Sequence, residues 1–253
     1  MKSIAENMPK FKFADLTDED RAELEKGSSA EEEHLKMIHD FYAQYLREKK
    51  KTDSRYQWIA YGYRCRYFKD SKFDKITRNG IKFIDNFNSF FQSQSKGIYI
   101  SGPVGTGKSY LAAMIANEMA DRGYIVYMNR INDAIEEFND FNNRTFANMV
   151  NNRAFNLVIL DDFGSSRESD YQLERLFNLI DSIYIAQIPL IVTTNIPISE
   201  IMAEMDIKKK RIYDRITQMC AYFPPITGDS KRIEEAKRAM GITKSMFDSN
   251  DED

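Results

Sequence analysis

Gly102-Pro103-Val104-Gly105-Thr106-Gly107-Lys108-Ser109 is the stretch that decides the fold of this 253-residue chain. It matches the spacing GxxxxGK[ST], in which glycines let backbone N–H groups surround phosphate oxygens. The apolar residues 98–101 before it predict a strand. The residues Lys108–Asp121 after it predict a helix, whose N-terminus attracts anions. The sequence therefore predicts a strand–loop–helix unit that binds nucleotide phosphates; the alternative is a glycine turn without a nucleotide.

We expect the loop and the first helical turn to contact ATP. Lys108 should reach the β- and γ-phosphates and contribute to catalysis, and the Ser109 hydroxyl should bind Mg²⁺. ATP and Mg²⁺ are thus the predicted cofactors. The predicted nucleotide ligands are Gly102, Pro103, Val104, Gly105, Thr106, Gly107, Lys108, Ser109 and Tyr110.

A second strand, Leu157–Leu160, runs into two carboxylates. Asp161 is the predicted Mg²⁺ ligand, and Asp162 is predicted to polarise the attacking water. Many ATPases have glutamate at the second place, and aspartate is one methylene shorter, so we expect slow turnover. An acidic pair that merely begins a loop is the alternative.

The strand Leu190–Thr194 also ends in polar residues. In ATPases with an extra strand between the phosphate loop and the acidic strand, a polar residue here senses the γ-phosphate. Asn195 is the first candidate for this sensor and Thr194 the second. A helix cap or a turn before Pro197 is the alternative.

The basic run Lys208–Arg215 places two arginines four residues apart, hence on one helix face. Guanidinium groups suit transition-state phosphate charge, so Arg211 or Arg215 is a candidate arginine finger, acting in cis or from a neighbouring subunit. Alternatively, Asp214 ties the arginines into local ion pairs, or the helix is simply solvated. Ser230-Lys231-Arg232 is a weaker phosphate-facing candidate.

Short apolar strands alternate with helical patterns from residue 98 onward. This alternation predicts an α/β fold with a parallel sheet covered by helices on both faces. The predicted strands are 98–101, 124–128, 157–160, 190–194 and 221–223, and the predicted helices are 108–121, 132–140, 144–153, 171–186, 199–205 and 208–219.

Charge divides the chain unevenly, although 36 basic and 39 acidic residues give a net charge of -3. Residues 1–46 hold 6 basic and 11 acidic side chains, whereas residues 47–82 hold 12 and 4. The basic block also contains Tyr56, Trp58, Tyr61, Tyr63, Tyr67, Phe68 and Phe73. Cations with aromatic faces suit single-stranded nucleic acid. The alternative, slightly favoured, is that these rings pack beneath the next domain.

We predict four segments: an acidic helical region (1–50) that is a candidate partner-docking surface, a basic aromatic linker (51–82), an ATPase domain (83–244) and a disordered acidic tail (245–253). No apolar run approaches the ~18 residues of a membrane span, and no secretory signal is evident. The two cysteines lie far apart, which indicates neither a disulfide framework nor a zinc site. A cytoplasmic protein without membrane contact is therefore expected.

The motifs GPVGTGKS, LVILDDFG, LIVTTN, KKRIYDRI and SKRIEEAKR, in this order, resemble the DnaC/DnaI-type bacterial helicase loaders, which share an ATPase core with IstB transposition helper proteins. The resemblance covers residues 67–240. Unlike some relatives, this chain has no cysteine-rich N-terminal zinc module, so residues 15–50 are the remaining candidate for contacting a helicase.

The resemblance implies an AAA+ fold and an ATP-dependent protein that loads a DnaB-type replicative helicase onto single-stranded DNA. It implies an ATP-dependent homo-oligomer, with Lys108 and Ser109 as nucleotide ligands, Asp161 and Asp162 as the Walker B pair, Asn195 as sensor and Arg211 or Arg215 as finger. The alternatives are an IstB-like helper of DNA transposition, a P-loop kinase for a small molecule, and a module that holds ATP without hydrolysing it.

Overall fold

A computed structural model describes residues 53–64, 66–68, 75–164, 169–228, 230 and 240. These residues belong to one compact unit of the chain, Lys50–Asp253. The predicted N-terminal helices, the predicted acidic tail and the pair Lys231-Arg232 lie outside the described residues. The four predicted segment boundaries stay predictions.

The described strands and helices follow the predicted order closely. The strands are β1 (Gly97–Ser101), β2 (Val126–Arg130), β3 (Leu157–Phe163), β4 (Leu190–Thr194) and β5 (Cys220–Tyr222). The α-helices are α1 (Lys75–Asp85), α2 (Lys108–Asp121), α3 (Ile131–Phe138), α4 (Thr145–Asn151), α5 (Asp170–Ile185), α6 (Ile198–Met202) and α7 (Ile207–Met219), with a π-helix over Phe87–Gln92.

The five strands form one parallel sheet in the order β2-β3-β4-β1-β5. The predicted α/β fold is therefore confirmed. β4 is the extra strand between β1, which leads into the phosphate loop, and β3, which ends in the acidic pair. Because the strands are parallel, the carboxyl ends of β1, β4 and β3 meet at one edge of the sheet.

Helices cover both faces of the sheet. Successive side chains of a strand point to opposite faces, so an apolar strand contributes to a core on each side. Ile98 and Ile100 of β1 pack with Leu111 and other residues of α2 in one apolar cluster. Tyr99 of the same strand lies in a second cluster with side chains of α3, α4, α5 and α7. Strands buried on both faces explain the continuous apolar runs in the sequence.

Two helix starts show how local sequence sets these elements. Ser169 and Gln172 form a capping box at α5: the Ser169 hydroxyl accepts from the Gln172 N–H, and the Gln172 side chain accepts from the Ser169 N–H. Asp206 caps α7 by accepting from the Lys208 and Lys209 amides at 2.9 and 3.0 Å. These backbone hydrogen bonds lower the pKa of Asp206.

Within residues 53–64, Trp58, Ile59 and Ala60 contact the outer edge of β2. Ile59 forms a parallel bridge to Met128, whose N–H donates to the Trp58 carbonyl (2.9 Å) and whose carbonyl accepts from the Ala60 N–H (2.8 Å). Tyr56 is buried and its hydroxyl bonds to Asp121, whereas Tyr61 is 59% exposed. Most described aromatic rings of the basic block are buried or pack against the two apolar clusters, which is the alternative that the sequence left open.

No described helix is long and apolar enough to cross a membrane.

Candidate nucleotide-binding site

The phosphate loop adopts a backbone that requires glycine. Gly105 and Gly107 have φ values of 82° and 101°, in the left-handed region that other residues rarely occupy. A Cβ atom on Gly102 would lie 2.2 Å from the Ile226 carbonyl oxygen, because the Ile226 N–H is hydrogen-bonded to the Ser101 carbonyl at the start of the loop (2.8 Å). The glycine spacing of the motif is therefore a steric requirement as well as a binding signal.

Lys108 begins α2 and is only 8% exposed. Its ammonium donates to the carbonyl oxygens of Gly102 (2.9 Å) and Pro103 (2.7 Å). The Thr106 hydroxyl donates to the same Pro103 carbonyl at 2.9 Å. The positive charge is thus already held at the loop, so an anion entering the loop meets both the ammonium and the amino end of α2.

Ser109 and Tyr110 follow in the first turn of α2. The Ser109 side chain is partly buried and Tyr110 is exposed. The Arg66 guanidinium lies 5.5 Å from the centre of the Tyr110 ring.

Asp161 is 4% exposed, and both of its carboxylate oxygens accept a hydrogen bond. The Thr193 hydroxyl donates to Oδ1, and the Tyr63 hydroxyl donates to Oδ2 at 2.8 Å. A buried carboxylate is costly unless it is hydrogen-bonded or paired with a cation. These two hydroxyl groups fix the plane of the carboxylate at the end of the sheet.

Asp162 lies next to it but has a different environment. Its side chain is exposed, its backbone has φ +64°, and its N–H donates to the Thr193 hydroxyl oxygen at 3.0 Å. The pairing of β3 with β4 is irregular between Leu160 and Phe163, the stretch that contains this residue. Aspartate and asparagine tolerate the left-handed conformation better than longer side chains. This backbone is a physical reason for aspartate where many ATPases have glutamate.

The end of β4 separates the sensor candidates. The Thr194 hydroxyl donates to the Phe163 carbonyl (2.8 Å) and accepts from the Ile196 N–H (3.0 Å), so it stabilises the backbone. Asn195 is exposed at the end of the strand. Thr193, which was not predicted from the sequence, is the residue of this strand whose hydroxyl contacts the acidic pair.

The two finger candidates differ in how firmly they are held. Both lie on α7 against α5. Arg211 is exposed, with its guanidinium carbon 4.2 Å from the centre of the Phe177 ring. Arg215 donates from Nε to Asp181 Oδ1 (2.9 Å) and lies 4.1 Å from the centre of the Tyr184 ring. Arg215 therefore forms an ion pair with Asp181 of α5, whereas the partner considered from the sequence was Asp214.

These groups fit a nucleotide with Mg²⁺. Hydroxyl and carboxylate oxygens, as on Ser109 and Asp161, are the ligands that Mg²⁺ prefers. Lys108 and the glycine loop supply the positive charge and N–H groups that phosphates need. The shared edge formed by β1, β4 and β3 brings the loop, Thr193 and the acidic pair together.

Comparison with known proteins gives a family and a fold. The family model of the IstB-like ATP binding protein matches residues 14–239. The uncharacterized protein YqaM of Bacillus subtilis (strain 168) is 25% identical over 164 residues, which make up 60% of this chain and 50% of YqaM. The chain thus spans about half the length of this curated relative.

Two solved structures have a similar fold. The crystal structure of DnaI has a TM-score of 0.53 and 22% identity, covering 66% of this chain and 90% of that one. The crystal structure of the DnaC helicase loader has the same TM-score and identity, covering 66% of this chain and 99% of the loader. At this identity the likeness shows the fold, which is that of an AAA+ P-loop NTPase and confirms the predicted fold class.

Proposed function

Because the chain belongs to the family of IstB-like ATP binding proteins, we propose that it is an ATPase that binds ATP with Mg²⁺ at residues 102–110 and hydrolyses it. The observation that carries the proposal is the meeting of the Lys108 loop and the acidic pair at one edge of the sheet. Bound Mg²⁺ would neutralise phosphate charge, with Ser109 and Asp161 as its protein ligands.

The residues then have separate roles in hydrolysis. Lys108 binds the β- and γ-phosphates, and the exposed Asp162 carboxylate orients a water molecule and accepts its proton. The water oxygen bonds to the γ-phosphorus while the bond from that phosphorus to the β–γ bridging oxygen breaks, giving ADP and phosphate. Asn195 senses the γ-phosphate from the end of β4. We expect slow turnover that DNA or a partner stimulates.

We further propose that hydrolysis drives the loading of a DnaB-type replicative helicase onto single-stranded DNA in the cytoplasm. The support is the fold shared with DnaI and with the DnaC helicase loader. In an ATP-dependent homo-oligomer, an arginine of α7 would contact the γ-phosphate held by the neighbouring subunit. Arg211 is the better candidate, because the Arg215 guanidinium is already held by Asp181.

The second candidate function is an IstB-like helper of DNA transposition, which would bind duplex DNA and recruit a transposase. The description of the matching family model favours it. The two functions use the same ATP site and differ in the DNA and the protein partner, so an assay must vary both.

Helicase loading onto closed circular single-stranded DNA coated with binding protein tests the first function. The readout is the unwinding of an annealed oligonucleotide by the cognate helicase, with Lys108→Ala as the control variant. Unwinding that requires this protein, ATP and Lys108 is the expected result. Duplex-dependent ATP hydrolysis without any stimulation of unwinding would instead support the transposition helper. Normal ATP hydrolysis by Lys108→Ala would refute the site itself.

A further inference from the structure

The Tyr63 hydroxyl reaches the acidic pair from outside the nucleotide-binding motifs. It donates to Asp161 Oδ2 at 2.8 Å, although the two residues are 98 positions apart in the chain. The opposite oxygen, Oδ1, accepts from Thr193. A tyrosine and a threonine therefore hold the two sides of one buried carboxylate.

The backbone around Tyr63 is anchored independently of this contact. Its N–H donates to the Ala60 carbonyl (2.9 Å) within a short 3-10 helix, Tyr61–Tyr63. Its carbonyl accepts from the side-chain amide of Asn117, a fully buried residue of α2 (2.9 Å). Since Ala60 also bonds to β2, the tyrosine is fixed between the edge of the sheet and the helix that follows the phosphate loop.

The Tyr63 hydroxyl is a proton donor rather than a charged group. Its oxygen lies 2.8 Å from Asp161 Oδ2, and a carboxylate oxygen accepts hydrogen bonds. Arg130 is paired in register with Asp161 across β2 and β3. Asp161 thus has Arg130 beside it on the neighbouring strand and the Tyr63 hydroxyl as a hydrogen-bond donor.

We propose that Tyr63 is a positioning residue of the Mg²⁺ site: through its hydrogen bond to Oδ2 it orients the Asp161 carboxylate for the metal that accompanies ATP. The inference rests on the proposed ATP site. Ligating carboxylates are commonly held by such outer hydrogen bonds, and their loss typically lowers metal affinity about 10- to 100-fold. Residues 53–64, which precede the ATPase motifs in the chain, would then complete the metal site through Tyr63.

The test measures the binding of a fluorescent methylanthraniloyl-ADP at increasing Mg²⁺ concentration to the wild-type chain and to Tyr63→Phe. Phenylalanine removes only the hydroxyl. The matched control is Tyr56→Phe, which removes a buried hydroxyl of the same segment that contacts Asp121 instead of Asp161. Thermal melting followed by circular dichroism verifies that each variant is folded.

The expected result is that Tyr63→Phe keeps the wild-type affinity for the metal-free nucleotide but needs about 10 to 100 times more Mg²⁺ for half of the metal effect. Tyr56→Phe should resemble the wild type in both measurements. The same Mg²⁺ dependence in all three chains overturns the inference. So does a loss of nucleotide affinity in Tyr63→Phe that is equally large with and without Mg²⁺. If the wild-type chain itself shows no Mg²⁺ effect, the proposed ATP·Mg²⁺ site fails, and the inference fails with it.

Discussion

Replacing Thr193 by valine tests whether this buried hydroxyl organises the acidic pair. Valine has nearly the shape of threonine, and Thr193 is 1% exposed, so the substitution removes hydrogen bonds with little change in packing. The hydroxyl donates to the Asp161 carboxylate and accepts from the Asp162 N–H at 3.0 Å. Both groups lose this partner in the variant.

The expected loss of stability follows from these two bonds. A hydrogen bond to a charged group contributes about 1.5–3 kcal/mol and a neutral one about 0.5–1.5, so the free energy of unfolding should fall by about 2–4 kcal/mol. For a chain of this size, such a loss lowers Tm by about 5–15 °C. Ligand stabilisation should shrink as well. A nucleotide with Mg²⁺ at 100 times its Kd stabilises by about 2.7 kcal/mol, and a 10-fold weaker Kd reduces this to about 1.4 kcal/mol.

The neighbouring Thr194→Val is the matched control. Thr194 is also buried and also makes two hydrogen bonds through its hydroxyl, but its partners are backbone groups of Phe163 and Ile196. Thermal melting with and without ADP and Mg²⁺ compares the variants. Both should melt below the wild type, and only Thr193→Val should lose ligand stabilisation. Melting of Thr193→Val at the wild-type temperature, or equal ligand stabilisation in both variants, would refute the assigned role.

Three further predictions address the rest of the site. Asp162→Asn keeps a residue type that tolerates φ +64°, so we expect an unchanged melting temperature and unchanged ATP binding. Hydrolysis should be about 10²- to 10⁴-fold slower, because the carboxylate that accepts the proton of the water is lost. Hydrolysis at the wild-type rate would show that Asp162 has no role in the mechanism. Arg211→Ala and Lys108→Ala chains should each be inactive in an ATPase assay and should recover part of the activity when mixed. In the mixture, the intact Arg211 of a Lys108→Ala chain can act in trans on the intact loop of a neighbouring Arg211→Ala chain. If mixing restores no activity, that arrangement is contradicted. Gly105→Ala should abolish ATP binding in a filter assay, since its Cβ would lie 2.0 Å from the Ser230 hydroxyl oxygen. The control is Gly123→Ala, at a φ of 89° with open space around it, which should bind ATP normally. Equal effects of the two substitutions on ATP binding would refute the steric argument.

Much of the fold could be predicted because its signals are local. The helix predicted over 108–121 and the strand predicted over 190–194 have the observed limits. Each element has a clear boundary signal in the sequence: a glycine loop precedes the helix, and polar residues end the strand. The strand predicted over 157–160 was too short, since β3 continues through both aspartates to Phe163. The apolar pattern stops at the two aspartates, whereas the backbone pairing of the strand continues past them.

The contacts within the site were less predictable. The sequence pointed to the phosphate loop and the acidic pair, because their residues are contiguous and their chemistry is distinctive. Thr193 and Tyr63 were not predicted as partners of Asp161, since these contacts span 32 and 98 positions and depend on which elements become neighbours. A polar residue inside the apolar strand β4 was the available signal for Thr193. For Tyr63, the basic and aromatic composition around it pointed to nucleic acid instead.

The edge contact of residues 53–64 determines where this chain can be shortened. Cutting immediately before the ATPase motifs would leave the N–H and carbonyl of Met128 unpaired on the outer edge of β2. Unpaired strand edges are templates for pairing with other chains and hence for aggregation. A truncated chain intended for expression should therefore begin at or before Asp53, and one that begins at β1 should precipitate even though it retains every motif for the nucleotide.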